Sequence, residues 1–242
     1  VLEAALSRLF DMPVKVTSAG RTDAGVHAVG QVISFVSHDA FPIQKLGIAL
    51  NSALPADLSA RDATLVDDAF SARNSALERS YSYFVLNRRA PSAVLRRYAH
   101  FDHRDLDLDA MRRAASDLVG EHDFVSFCSL LPERGGTIRR LIEIEIVRDG
   151  ALVCLRYRGT GFLHRMVRIM TGTLLEIGAG RRAPDSIPAM LAARDRRFSG
   201  LTAPAQGLFF TGVRYPHFDS APTASDAMPL AWYANSFARR AD

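Results

Sequence analysis

Residues 141–158 constrain this chain most. From 141 to 147, Ile142, Ile144 and Ile146 alternate with Glu143 and Glu145, the two-residue period of a half-buried strand. A second strand-like run, 152–158, follows after the turn Arg148-Asp149-Gly150, so the pair is predicted to be an antiparallel hairpin. Each side of the hairpin carries a helical pattern. Upstream, Leu108, Met111, Ala115 and Leu118 share one face of a helix predicted over 108–119, with Asp107 as N-cap and Gly120 as terminator. Downstream, Leu163, Val167, Met170, Leu174 and Ile177 recur at steps of four and three over 162–177, before Gly178 and Gly180. Strand-like runs at 79–87 and 208–215 bracket the set. The order is β-α-β-β-α-β, the split βαβ or ferredoxin-like arrangement.

The first third repeats that order with one element absent: helix 1–10, strands 13–18 and 31–37, helix 42–52 and strand 57–66. An N-terminal strand is therefore expected to be missing ahead of Val1. The expected class is α+β, with two tandem ferredoxin-like domains sharing an extended antiparallel sheet and helices on one face. The expected divisions are 1–70, a domain holding the candidate catalytic aspartate; 71–216, a second domain; and 217–242, an extended tail anchored by Trp232, Tyr233 and Phe237.

At 242 residues and 48% apolar content the chain can bury a substantial core. It contains no run of eighteen apolar residues and no signal pattern, so no membrane contact and a cytoplasmic setting are expected. Cys128 and Cys154 are too few for a disulfide framework and too far apart for metal-ligand spacing, so both are read as buried or inert thiols. The net charge of +4 favours polyanionic partners only weakly. Its makeup tells more: Lys15 and Lys45 are the only lysines, and arginines recur in pairs such as Arg88-Arg89, Arg96-Arg97 and Arg139-Arg140. Arginine suits forked phosphate contacts and stacking on bases. A genome rich in G and C would raise arginine equally well.

Residues 19–30 form a twelve-residue connection between two predicted strands, where a hairpin would use two to five. Gly20, Gly25 and Gly30 permit unusual backbone angles or close approach, and the loop presents Arg21, Asp23 and His27 together. An aspartate beside an arginine is either an ion-paired turn residue or a carboxylate kept ionised for use. Chemistry alone leaves both readings open.

The segment Ala19-Gly-Arg-Thr-Asp-Ala-Gly-Val-His-Ala28, followed by Gly30-Gln31-Val32, resembles the active-site motif of the tRNA pseudouridine synthase A (TruA) family. Further matching segments follow in that family's order. They are Asn51-Ser-Ala-Leu-Pro-Ala-Asp57, Phe70-Ser-Ala-Arg73, Tyr81-Ser-Tyr83, Gly120-Glu-His-Asp-Phe-Val-Ser-Phe127, Phe162-Leu-His-Arg-Met-Val-Arg168 and Ala205-Gln-Gly-Leu208. The resemblance implies isomerisation of uridine to pseudouridine at positions 38, 39 and 40 of the tRNA anticodon arm, without cofactor or metal, by a homodimer that binds one tRNA across both subunits.

It further implies that Asp23 is catalytic, with Arg21 and Arg168 favouring its ionised form and Tyr81 stacking on the target base and helping to remove the C5 proton. Arg21, His27, Tyr81, Arg168 and Leu208 are the implied substrate contacts. His27 and His164 also match motif positions and are read as hydrogen-bonded structural histidines. Asp23 is expected in a loop of the first domain, reached by Tyr81 and Arg168 from the second across an interdomain cleft. The chain departs from the family pattern in two places. By resemblance, the family's first strand and a Gly-Trp-Gln loop are expected to be missing ahead of Val1, and Gly135-Gly136-Thr137-Ile138 stands where members tend to carry a basic residue before the threonine. A silent RNA binder of the same fold, a synthase for other RNA sites and a carboxylate-dependent glycosidase are the competing readings.

Overall fold

The computed structural model describes residues 1–37, 41–133 and 135–221; Trp232, Tyr233 and Phe237, the expected tail anchors, lie outside them. The fold is α+β. The chain packs as two compact units, Val1–Arg21 with Val32–Ala76, and Thr22–Gln31 with the chain from Leu77 onward.

In the first unit, helices α1 (Leu2–Leu9) and α2 (Ile43–Ala53) bury Ala5, Leu6, Leu46 and Leu50 together with Phe10 and Val14. Between the helices run three two-residue strands: β1 (Thr17–Ser18), β2 (His27–Ala28) and β3 (Ile33–Ser34). β1 and β3 pair antiparallel, whereas β2 belongs to the second unit. The strands expected at 13–18 and 31–37 contract to two residues each, and at 13–18 the reason is that donors go elsewhere. The Val14 amide donates to Ser7 Oγ at 2.9 Å and the Val16 amide to Glu3 Oε1 at 3.0 Å, so side chains of α1 take bonds that a ladder would use. The strand expected at 57–66 is irregular for a similar reason. The Asn51 side chain gives and takes both main-chain bonds of Ala60, at 2.8 and 2.7 Å, and so acts as a one-residue strand neighbour.

The second unit is built on a seven-stranded sheet. Its elements are β4 (Glu78–Asn87), β5 (His100–Asp102), α3 (Leu108–Ser116), β6 (Gly120–Asp123), β7 (Ile138–Asp149), β8 (Leu152–Gly159), α4 (Met166–Gly178), α5 (Ile187–Ala193) and β9 (Leu208–Arg214). The strand order is β2-β9-β4-β8-β7-β6, with β5 beside β4. The predicted hairpin is β7–β8, turning at Gly150 with φ +55°. Asp107 caps α3 as expected, accepting from the Asp109 and Ala110 amides at 3.0 and 2.9 Å.

Two pairings, β2–β9 and β4–β5, are parallel, so the sheet is mixed. β5, β6 and α5 were not expected, being too short to carry a period. Within β4 every residue from Tyr81 to Leu86 is buried, so the strand is covered on both faces. On one face Phe84 and Leu86 join Cys154, Phe209 and Ala99 in an apolar cluster. On the other the Tyr157 hydroxyl bonds Thr171 of α4 at 2.8 Å. Both cysteines are buried, and burial pushes the Cys154 thiol up to about 11. No helix among the described residues is long and apolar enough to cross a membrane.

Candidate active site

Asp23 opens a tight turn in which the Val26 amide donates to the Asp23 carbonyl at 3.1 Å. The third turn residue, Gly25, has φ +81°, an angle that side chains rarely adopt. The chain then lies along β9. His27 and Ala28 pair parallel with Phe209 and Phe210, and the Val29 and Gly30 amides both donate to the Phe210 carbonyl at 2.9 and 3.2 Å. Gly30 sits so close to β9 that an added Cβ would stand 2.2 Å from the Thr211 carbonyl oxygen. The His27 ring stacks on Phe209 at 4.6 Å, and its Nε2–H donates to the Arg97 carbonyl at 2.7 Å. Thr22–Gln31 is thus a strap fastened to the sheet of the second unit. This is why Asp23, expected in a loop of the first domain, packs with the second.

The start of α4 faces the strap. Arg168 donates from Nη1 to Asp23 Oδ2 at 2.5 Å and from Nε to the Ala203 carbonyl at 2.8 Å. The Ala203 amide returns a bond to the Arg168 carbonyl at 3.0 Å, so residue 203 clamps the arginine from both ends. That segment approaches α4 closely at Gly172, where a Cβ would stand 1.8 Å from the Leu201 carbonyl oxygen. His164 Nε2 lies 3.5 Å from Asp23 Oδ1, and its Nδ1 shares a 2.8 Å bond with Ser129 Oγ. Arg165 Nε lies 3.6 Å from Asp23 Oδ2.

Tyr81 is 8% exposed and meets Phe162 and Phe210 edge to face, with centroids 5.0 and 4.9 Å away. Burial raises its phenol far above the ordinary range; the Arg79 guanidinium opposes that rise and the Asp23 carboxylate adds to it. Tyr81 therefore stays a neutral phenol within electrostatic reach of Asp23.

Asp23, Arg168 and Tyr81 thus share one unit and one neighbourhood. A family profile described as tRNA pseudouridine synthase matches residues 1–73 and 114–216. The chain belongs to the tRNA pseudouridine synthase family. Relatives named tRNA pseudouridine synthase A include that of Bacillus subtilis, 42% identical over 217 residues covering 88% of this chain and 87% of the relative. That of Moorella thermoacetica is 45% identical over 212 residues, covering 88% and 86%. That of Geotalea uraniireducens is 42% identical over 217 residues, covering 89% and 88%.

A pseudouridine synthase is an isomerase, and this one belongs to a family that acts on tRNA. Of the other residues singled out in the sequence, Arg21 is exposed and ends the first segment of the first unit. Leu208 is 5% exposed, opposite Tyr83. His27 has its ring and its Nε2 occupied by Phe209, Tyr98 and Arg97.

Two features of this neighbourhood in the synthase were not read from the sequence. One is a bulge: Ser80 pairs with Gly212 but Tyr81 with Phe210, leaving Thr211 as the extra residue that abuts Gly30. The other is Arg165. The helical period predicted a helix from 162, but α4 begins at Met166 because Arg165 adopts φ +59°, a left-handed conformation that interrupts the run and turns its side chain to Asp23. The run of cations in His164, Arg165 and Arg168 was the signal for it.

Proposed function

We propose that this tRNA pseudouridine synthase acts at positions 38, 39 and 40 of the anticodon arm with Asp23 as its catalytic residue. The observation that supports this most is the Asp23–Arg168 pair. The side chain of Asp23 is 22% exposed, and its Oδ2 is tied to a guanidinium that is only 13% exposed. Oδ1 is left as the freer oxygen. The reaction breaks C1′–N1, turns the uracil, joins C1′ to C5 and moves the C5 proton to N1, so the product has the composition of the substrate. As the uracil departs, the sugar gains oxocarbenium character, and a fixed carboxylate stabilises it or bonds to it.

Tyr81 lies under the target base as a neutral phenol that can stack and donate. Arg21 and Arg168 are substrate contacts in this reading, and Leu208 and His27 contribute through β9 and the strap. The target nucleotide must leave its stack first, at a cost of a few kcal/mol that contacts to the tRNA backbone offset. The protein works as a cytoplasmic homodimer in this reading. The presence of Asp23, Tyr81 and Arg168 in one neighbourhood disfavours a silent RNA binder.

Release of tritium from C5-labelled uridine in tRNA tests the assignment. Asp23→Asn is expected to lower the rate by at least a thousandfold while tRNA is still bound. Equal release by the two proteins would sink it. Sequencing the modified tRNA checks the three positions, and sedimentation with and without tRNA checks the dimer.

A further inference from the structure

Arg165 combines three properties that a structural arginine does not need. It has φ +59°, one of three non-glycine residues with positive φ among those described. Its side chain is 46% exposed, and its nearest described acid is Asp23, at 3.6 Å, beyond a normal hydrogen bond. The same carboxylate oxygen is already satisfied by Arg168 at 2.5 Å. Asp23 thus faces two guanidinium groups with one negative charge, and among the described residues no other acid pairs with either arginine. One positive charge is left over beside the reaction centre, on the more exposed of the two side chains.

A surplus cation at that place suits an anion brought by the substrate. The uracil of the bound nucleotide is neutral before reaction, whereas each of its flanking phosphodiesters carries a full negative charge. A forked, always-charged guanidinium matches a phosphate in two-point geometry. Left-handed backbone at a residue with a long side chain carries a cost that asparagine or glycine would largely avoid, and such outliers gather at functional sites.

We propose that Arg165 binds a backbone phosphate flanking the target uridine, and that its left-handed backbone is tolerated in order to aim its guanidinium beside Asp23. This rests on Asp23 marking the reaction centre. The role also explains why α4 does not begin at 162. Continuing the helix through Arg165 would move its side chain one helical step around the axis and away from the carboxylate.

Arg165→Asn and Arg165→Lys separate the parts of this proposal. Asparagine tolerates positive φ and removes the charge. It is expected to raise Tm by about 2–4 °C, to weaken tRNA binding roughly tenfold, and to reduce the log–log salt slope of binding by about 0.7–1. Lysine keeps the charge and the strain, so the wild-type Tm and salt slope are expected, with weaker binding from loss of the fork. The binding measurements use the Asp23→Asn background, in which tRNA binding is expected to persist, so they are read independently of whether Asp23 is catalytic. An unchanged salt slope in Arg165→Asn overturns the proposal, including the case where only the rate falls, which would place the guanidinium on the departing uracil. A lower Tm in Arg165→Asn overturns it too, because Arg165 would then be holding the fold.

Discussion

The strap Thr22–Gln31 and the first turn of α4 bring opposite charges to one point, but they are fixed by different forces. The strap is held mainly by its main chain: two-residue pairing with β9, two amides on one carbonyl, and a glycine lying against Thr211. It adds no fully buried side chain: Val29 and the stacked His27 ring are only partly buried. The helix end is continuous with a core in which Met166, Ile169, Met170 and Leu174 are fully buried. The carboxylate therefore sits on a piece that can peel away without unfolding the sheet, and its guanidinium partner on a piece that cannot. Segments with few buried contacts open at less than the global free energy of unfolding.

Two glycine substitutions test that difference with the largest expected effects. Gly172→Ala drives a methyl into the Leu201 carbonyl, where both sides are backbone and neither can yield. A destabilisation of about 3 kcal/mol or more follows, or roughly 6–12 °C in Tm. Gly30→Ala makes a similar clash with Thr211, but the strap lifts instead. Tm is expected to fall by only about 2–4 °C, while pseudouridine formation drops by roughly a hundredfold because Asp23 loses its place. Equal losses of Tm in the two variants, measured by calorimetry, would show the strap to be part of the core and break the comparison.

How much of this was legible in sequence follows the same division. The second unit declared itself where period and burial agree: β7–β8, Asp107 and the stripe from Val167 to Ile177 are where patterns of two and of three to four put them. The residues of the strap were legible by resemblance, but its position was not. Two-residue strands have no period, and parallel pairing of His27 with Phe209 joins positions far apart in sequence. In the first unit, the repeated element order promised strands at 13–18 and 57–66, yet Ser7, Glu3 and Asn51 take up the main-chain bonds. Side-chain capture of a backbone donor leaves the apolar pattern untouched, so no reading of that pattern reveals it.

A middle-sized effect is expected at Glu176, which secures the segment that clamps Arg168. Its carboxylate takes bonds from Arg182 Nε and, at 3.0 Å, from the Leu201 amide, while Arg182 Nη1 also holds the Phe198 carbonyl at 2.8 Å. Burial would raise the Glu176 carboxyl, but the bonds from Arg182 and Leu201 and the charges of Arg182 and Arg181 outweigh it, leaving it below the ordinary value of 4.5. A depressed carboxyl stabilises the fold above its unfolded value and loses that contribution as pH falls through the folded value. Glu176→Gln should therefore cost about 1–3 kcal/mol at pH 7. The gap in Tm to wild type should close as the pH is lowered past 4.5. A gap that stays constant from pH 7 to 3.5 would mean that the charge of Glu176 does nothing for the clamp.

The smallest effect concerns the other oxygen of Asp23. His164 is 40% exposed and touches Oδ1 only at 3.5 Å, so it steadies the carboxylate rather than holding it. Its tautomer follows from Ser129: when that hydroxyl donates to Nδ1, Nε2 carries the proton and points it at Oδ1. If the strap is the mobile partner, loss of this contact should lower kcat by roughly three- to tenfold and leave KM unchanged, since the interaction matters most when charge develops. Glutamine, whose amide N–H can stand where Nε2 does, should restore most of the rate; Ser129→Ala, which frees the ring to turn, should cost about twofold. A shift in KM alone for His164→Ala would move the histidine from the carboxylate to the RNA, and the strap would then depend on Arg168 and its own main chain.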